Sequence, residues 1–308
     1  MEGYKMSNIR KIRKVLKSKP TIEGAGVHLK RVFGFSEVPL FDPFLLLDDF
    51  RSDHPDHFLK GFPWHPHRGI ETITYVLKGD VEHGDSLGNK GIIGSGDVQW
   101  MTAGSGIIHQ EMPKGDKNGK MYGFQLWANL PARQKMMDPR YRDVLDKQIP
   151  EAKLSNGTTV KIISGEVSGV KGPVQDIVID PEYIDVTVPA ESEFRHPTKQ
   201  GHTAFAYIID GQGYFCEEKN PFTYEVEGSN YFDIQRDPFV GNGTIVLFSD
   251  GDEIRVFTEK DPVRFLLISG KPIGEPVAWY GPIVMNTQDE LRIAFEEFNQ
   301  GTFIKYKG

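Results

Sequence analysis

The chain has 308 residues, 38% of them hydrophobic and 26% charged, which excludes a disordered or fibrous class and exceeds what one hydrophobic core usually supports. Its 36 basic and 43 acidic residues give a net charge of −7, so no whole-surface attraction draws it to nucleic acid or to an anionic membrane. A single cysteine, Cys216, can close no internal disulfide, and there is neither an apolar run near the roughly 20 residues of a membrane span nor an apolar leader, so a cytoplasmic protein is expected, or a nuclear one in a eukaryote.

The opening segment carries Lys5, Arg10, Lys11, Arg13, Lys14, Lys17 and Lys19, interrupted by Ile9, Ile12, Val15 and Leu16. A nucleic-acid arm would use such charge, but the interleaved apolar residues fit better an edge strand guarded by Lys and Arg. Short runs rich in β-branched and aromatic residues then recur between Gly and Pro signals: ETITYVLKG (71–79), DVQWMTAG (97–104), MYGFQLWANLP (121–131), AFAYIIDGQGYF (204–215), GTIVLFSDG (243–251) and VRFLLISGKP (263–272). This pattern predicts an all-β chain. One helix is predicted near 288–300, where Thr287 and Glu290 have capping-box spacing ahead of Leu291, Phe295 and Phe298, and Gly301 stops it.

An internal duplication is visible: Tyr75-Val-Leu-Lys-Gly79 matches Tyr207-Ile-Ile-Asp-Gly211, and the segment from Phe124 to Pro131 matches that from Phe265 to Pro272. Two copies of one β-fold are expected, joined in the polar stretch 133–150. The predicted domains are 1–135 and 136–308, with the final helix or tail free to return to the first.

The chemistry concentrates in Trp64-His65-Pro-His67-Arg-Gly-Ile-Glu71 and, some forty residues later, His109-Gln-Glu111. Side chains at i and i+2 of a strand share a face, so two neighbouring strands can present His65, His67, His109 and Glu111 to one point. Three imidazoles and a carboxylate suit Fe, Mn, Co, Ni, Cu or Zn rather than Mg or Ca. Six-coordination would leave two positions open for substrate, water or dioxygen; a tetrahedral zinc with the same ligands would leave none. Glu71 shares parity with His67, and a supporting contact or salt bridge suits it better than ligation. His54, His57 and His83 fall in probable solvated loops. In the second half only His196 and His202 occur, and the register of the repeat sets Pro197 and Lys199 opposite His65 and His67, so a metal-free, structural second domain is expected.

FDPFLLLDDF (41–50), HPHRGIETITYVLKGDVEHGDSLGN (65–89), GSGDVQWMTAGSGIIHQEMP (94–113) and the late GKPIGEPVAWYGPIVMNTQDELRIAFEEF (270–298) resemble the pirin family of the cupin superfamily. The resemblance implies two cupin jelly-roll β-barrels packed face to face, and a short C-terminal helix. It also implies one iron, Fe(II), on His65, His67, His109 and Glu111, with the usual cupin glutamate, Glu71, left out. Two functions are implied. One is a quercetin 2,3-dioxygenase type of oxidoreductase, opening the central ring of a flavonol-like aromatic substrate with O2 and releasing carbon monoxide, with Glu111 taking the proton of the 3-hydroxyl. The other is a redox-sensitive, iron-binding regulatory module for transcription factors or metabolic enzymes. A monomer without direct nucleic-acid or membrane contact is expected. A flavonol pocket needs aromatic walls, for which Phe50, Phe62, Trp64, Trp100 and Met101 are candidates, while Arg68, of opposite parity to His67, is expected to support a neighbouring loop.

Overall fold

The computed structural model describes residues 8–217, 220–228 and 236–306; Lys5 of the basic opening segment lies outside them. Strands dominate, and the single α-helix among the described residues is Gln288–Asn299, close to the 288–300 that the sequence predicts. Its capping box is formed: Thr287 accepts from the Glu290 amide at 3.2 Å, and the Glu290 carboxylate accepts from the Thr287 amide at 2.9 Å. No helix among the described residues is long and apolar enough to cross a membrane.

The chain forms two compact units whose ends are exchanged. One joins the segment ending at Ser18 to Ile149–Pro272; the other joins Lys19–Gln148 to the stretch from Ile273 onward. Neither unit is therefore one contiguous stretch cut at 135/136. The physical reason lies in strand pairing and apolar burial. Strand Ile12–Lys17 pairs antiparallel with Thr244–Phe248, and its Ile12 and Val15 enter the apolar cluster of that unit. The helix buries Leu291 and Ala294 in a cluster with Ala278, Ile283 and Met285.

In the unit of Lys19–Gln148, a four-stranded sheet contains, as neighbours, Phe62–His67, Ile107–Pro113, Val81–Asp85 and Lys90–Ile93. A seven-stranded sheet contains, among others and in this spatial order, Arg140–Val144, Val98–Thr102, Ile70–Lys78, Tyr122–Asn129, Phe44–Asp49 and Val27–Phe33. The two sheets meet across the interior, where Thr74 Oγ1 of the larger donates to Glu111 of the smaller at 3.1 Å. Strand Phe44–Asp49 is buried at every residue and has a hydrogen-bonded neighbour on each side.

The duplicated segments are hydrogen-bonded neighbours in both units. Tyr75 lies opposite Phe124 in one, and Ile208 lies opposite Phe265 in the other, a register one residue different. Gly79 follows the end of its strand at φ +85°, whereas Gly211, at φ +66°, lies within strand Thr203–Gly213, where a Cβ would stand 1.9 Å from the Pro262 carbonyl oxygen.

Candidate metal centre

Phe62–His67 and Ile107–Pro113 are antiparallel neighbours with His65 opposite His109 and His67 opposite Ile107. Residues directly opposite share a face, so the His-x-His of one strand meets the histidine of the other. Between His109 and Glu111 the register shifts, and Glu111 comes opposite Phe62. The strand Ile107–Pro113 alternates strictly, with His109 and Glu111 among its buried positions.

The three imidazoles converge. His65 Nε2 lies 3.1 Å from His67 Nε2 and 3.0 Å from His109 Nε2, and one ligand atom from each residue falls within a 4.8 Å group. His65 Nδ1 is 2.8 Å from the Pro63 carbonyl oxygen, and His67 Nδ1 is 3.2 Å from that of Pro282. A carbonyl can only accept, so the Nδ1 protons point there and both Nε2 atoms carry bare lone pairs. Two such lone pairs at 3.1 Å are not a hydrogen bond; they are a donor set held ready for a cation. Burial lowers the pKa of all three histidines, His67 and His109 well below the ordinary value, so they stay in the neutral form that ligates. The donor chemistry thus fits a first-row transition ion.

Glu111 stands beside the trio, its Oε2 at 4.0 Å from His109 Nε2 and its Oε1 receiving the Thr74 hydroxyl. Burial pushes its carboxyl up to about 7, against the lowering effect of Thr74. Glu71 sits apart. Its carboxylate accepts from Trp100 Nε1 at 3.0 Å and Thr102 Oγ1 at 2.7 Å, with Arg140 3.8 Å away. Gly69, at φ +79°, breaks the strand between His67 and Glu71, so the parity counted through it in the sequence does not hold. A Cβ on Gly69 would lie 2.0 Å from the Val284 carbonyl oxygen.

His83 corrects an expectation. It lies within strand Val81–Asp85, opposite Glu111, and is 7% exposed, because Val81, His83 and Asp85 alternate inward. His57 ends a short 3₁₀ turn and stacks on His28 with ring centroids 4.5 Å apart. Arg68 is buried; its guanidinium donates to the Ser105 and Phe303 carbonyls and to Glu297, which ties the loop after His67 to the helix.

A cavity of about 730 Å³ opens over His65, His67 and Glu111. Phe50, Phe62 and Trp64 line it as expected, but Trp100 and Met101 are core residues, 2% and 0% exposed. Its other aromatic walls are Phe35, Trp127, Trp279 and Tyr280, with Trp127 edge-on to His67 at 5.1 Å between centroids. Arg31, Asp48 and Gln125 form a polar side that sequence reasoning missed. The signal was present: Asp48 and Asp49 follow the apolar run Phe44–Leu47, and Gln125 shares strand parity with Trp127.

In the other unit, His196 Nε2 lies 2.8 Å from Glu182 Oε1, and His202 Nε2 lies 3.7 Å from Asp180 Oδ2. Among the described residues, the His65, His67 and His109 group is the one that brings three candidate ligands together.

Residues 26–128 match the Pirin family model, and residues 183–304 match that of the Pirin C-terminal cupin domain. A pirin-like protein of Caulobacter vibrioides is 42% identical over 301 residues, covering 96% of this chain and 99% of its own. The crystal structure of a quercetin 2,3-dioxygenase from Acinetobacter baumannii superposes with a TM-score of 0.81 at 29% identity, over 96% of this chain and 98% of that one. A bacterial pirin from Escherichia coli, solved in complex with nickel(II), shares the fold at a TM-score of 0.60 and 20% identity, over 84% of this chain and 98% of that one. With two cupin domains and matching relatives along nearly its whole length, the chain belongs to the pirin family.

Proposed function

We propose that the chain is a metal-dependent dioxygenase of quercetinase type, which opens the central ring of a flavonol with O2 and releases carbon monoxide. The observation that carries this reading is the convergence of three neutral imidazoles, two of which, His65 and His67, line an aromatic-walled cavity. Support also comes from the likeness to the Acinetobacter baumannii enzyme. His65, His67 and His109 would hold one divalent ion, Fe(II) in our reading, with Glu111 as the fourth ligand. Such an ion supplies Lewis acidity toward a phenolic oxygen and an electron route to dioxygen.

The chain's own residues do the rest. Glu111, buried beside the imidazoles, would accept the proton of the 3-hydroxyl. Thr74 holds one of its oxygens and leaves the other facing the imidazoles. Trp127 and Trp279 offer flat faces for a planar ligand, and together with Phe62 they keep water from the reacting ring.

The test is purification without oxygen, measurement of bound metal, and then flavonol loss and carbon monoxide release on admitting air. Stoichiometric release of carbon monoxide is expected. An absence of turnover with iron, manganese, nickel, cobalt and copper in turn would overturn the reading.

A further inference from the structure

One row of side chains crosses the larger sheet beneath the cavity. Arg31 lies opposite Asp48, Asp48 opposite Gln125, and Gln125 opposite Thr74, which donates to Glu111. Residues directly opposite on neighbouring strands share a face, so the row is continuous, and Arg31, Asp48, Gln125 and Glu111 all line the cavity. Adjacent strands stand about 4.8 Å apart, which sets Asp48 roughly 10 Å from the Glu111 end of the row. That distance suits a fused or linked pair of aromatic rings with one end at the histidines.

The charges along the row restrict what the far end of a ligand can carry. Arg31 donates through Nε and Nη2 to the two oxygens of Asp48, at 2.9 and 2.8 Å, and its Nη1 lies 2.9 Å from Glu23. One guanidinium is thus shared by two carboxylates, and an incoming anion would meet net negative charge. Asp48 and Glu23 keep lone pairs for hydroxyl donors, and the Gln125 amide, half-buried and without a protein partner among the described residues, can both donate and accept. A cavity-lining amide with no protein partner among the described residues is free to bond a ligand or water.

Resting on the reading of the cavity as a flavonol site, we propose that Gln125 and Asp48 are its specificity-determining residues. They read hydroxyl groups on the ring remote from the histidines and select neutral polyphenols over aromatic carboxylates and sulfate esters. A site built to bond hydroxyls rejects the analogue that lacks them, because its own polar groups are then left unpaired.

Trp127 and Trp279 in the cavity wall provide the probe. Quenching of tryptophan fluorescence in the metal-loaded protein, without oxygen, is titrated with three flavonols: one with two hydroxyls on the distal ring, one with none, and one sulfated there. The dihydroxylated compound should bind at least tenfold more tightly than either of the others. In Gln125→Leu, which leaves the Asp48–Arg31 pair in place, the preference over the unsubstituted flavonol should fall below threefold, and Asp48→Asn should weaken it as well. Equal binding of the first two by the unaltered protein, or preference for the sulfated one, overturns the far-wall assignment alone. Failure of all three to bind overturns the flavonol reading itself, and the assignment with it.

Discussion

The two units answer the same architectural question differently. In the histidine-bearing unit, the paired strands Phe62–His67 and Ile107–Pro113 gather three neutral imidazoles around a point that lacks positive charge. By the register of the Tyr75 and Tyr207 segments, positions 65 and 67 correspond to Pro197 and Lys199, and Pro197 lies opposite Glu253 in the paired strands Glu193–Pro197 and Glu253–Phe257. Next to this pair of strands stands a cation that the chain itself provides. The Arg10 guanidinium, 1% exposed, donates to Thr198 Oγ1 and the Lys199 carbonyl at 2.7 Å, to the Ser249 carbonyl at 2.9 Å and to the His202 carbonyl at 3.0 Å, with Asp250 3.7 Å away. Duplication of a β scaffold thus permits one copy to keep an open donor set for chemistry while the other closes its corresponding end with an internal side chain. A guanidinium suits that task because its planar fork satisfies several carbonyls at once.

The largest expected effect tests the asymmetry directly. His65→Ala or His109→Ala should reduce bound metal from one per chain by more than about tenfold at fixed free metal, since loss of even a supporting contact to a ligand costs that much. His196→Ala and His202→Ala should leave metal content unchanged by elemental analysis. Metal lost from the second pair of variants, or retained by the first, would break the comparison. Next in size is Arg10→Met. It keeps the bulk of the side chain but leaves buried carbonyls without donors, and should cost about 3–5 kcal/mol in urea unfolding. Arg10→Lys, with fewer donors and no fork, should recover part of this. A cost under about 1 kcal/mol would mean that the guanidinium does not close that unit.

What the sequence made legible follows from how local each signal is. The helix was readable because Thr287 and Glu290 are three residues apart, and their mutual hydrogen bonds need nothing from the rest of the chain. His65, His67 and His109 were readable because strand parity is a local rule and the shortest one in the chain. Parity failed at Glu71, where Gly69 breaks the strand, and it was not applied at His83, where a Gly-Asp-Ser sequence that reads as a loop continues a strand as far as Asp85. Arg10 looked like one charge among several on an exposed edge. Its burial depends on carbonyls more than 180 residues away, which no local pattern encodes. The return of the final helix to the first domain was expected, but the place of the N-terminal strand in the unit of Ile149–Pro272 was hidden for the same reason as Arg10, because the partner of strand Ile12–Lys17 is Thr244–Phe248.

The smallest expected effect sharpens the contrast through pH. Burial pushes the Asp48 carboxyl up to about 6, outweighing the pull of Arg31, whereas its ordinary value is 3.8. Between these values the folded chain still holds a proton that the unfolded chain has released. The contribution of this group to stability is therefore complete below about pH 4 and is lost as pH rises through about 6, a difference of at most about 3 kcal/mol. Other buried acids of the same unit titrate nearby, so the informative quantity is the difference between the unaltered protein and Asp48→Asn, followed by urea unfolding from pH 4 to 7 without metal. The unaltered protein should lose stability relative to the variant as pH rises. A parallel pair of curves would show that Arg31 neutralises Asp48 fully, and the negative charge attributed to the polar wall would then come from Glu23 alone.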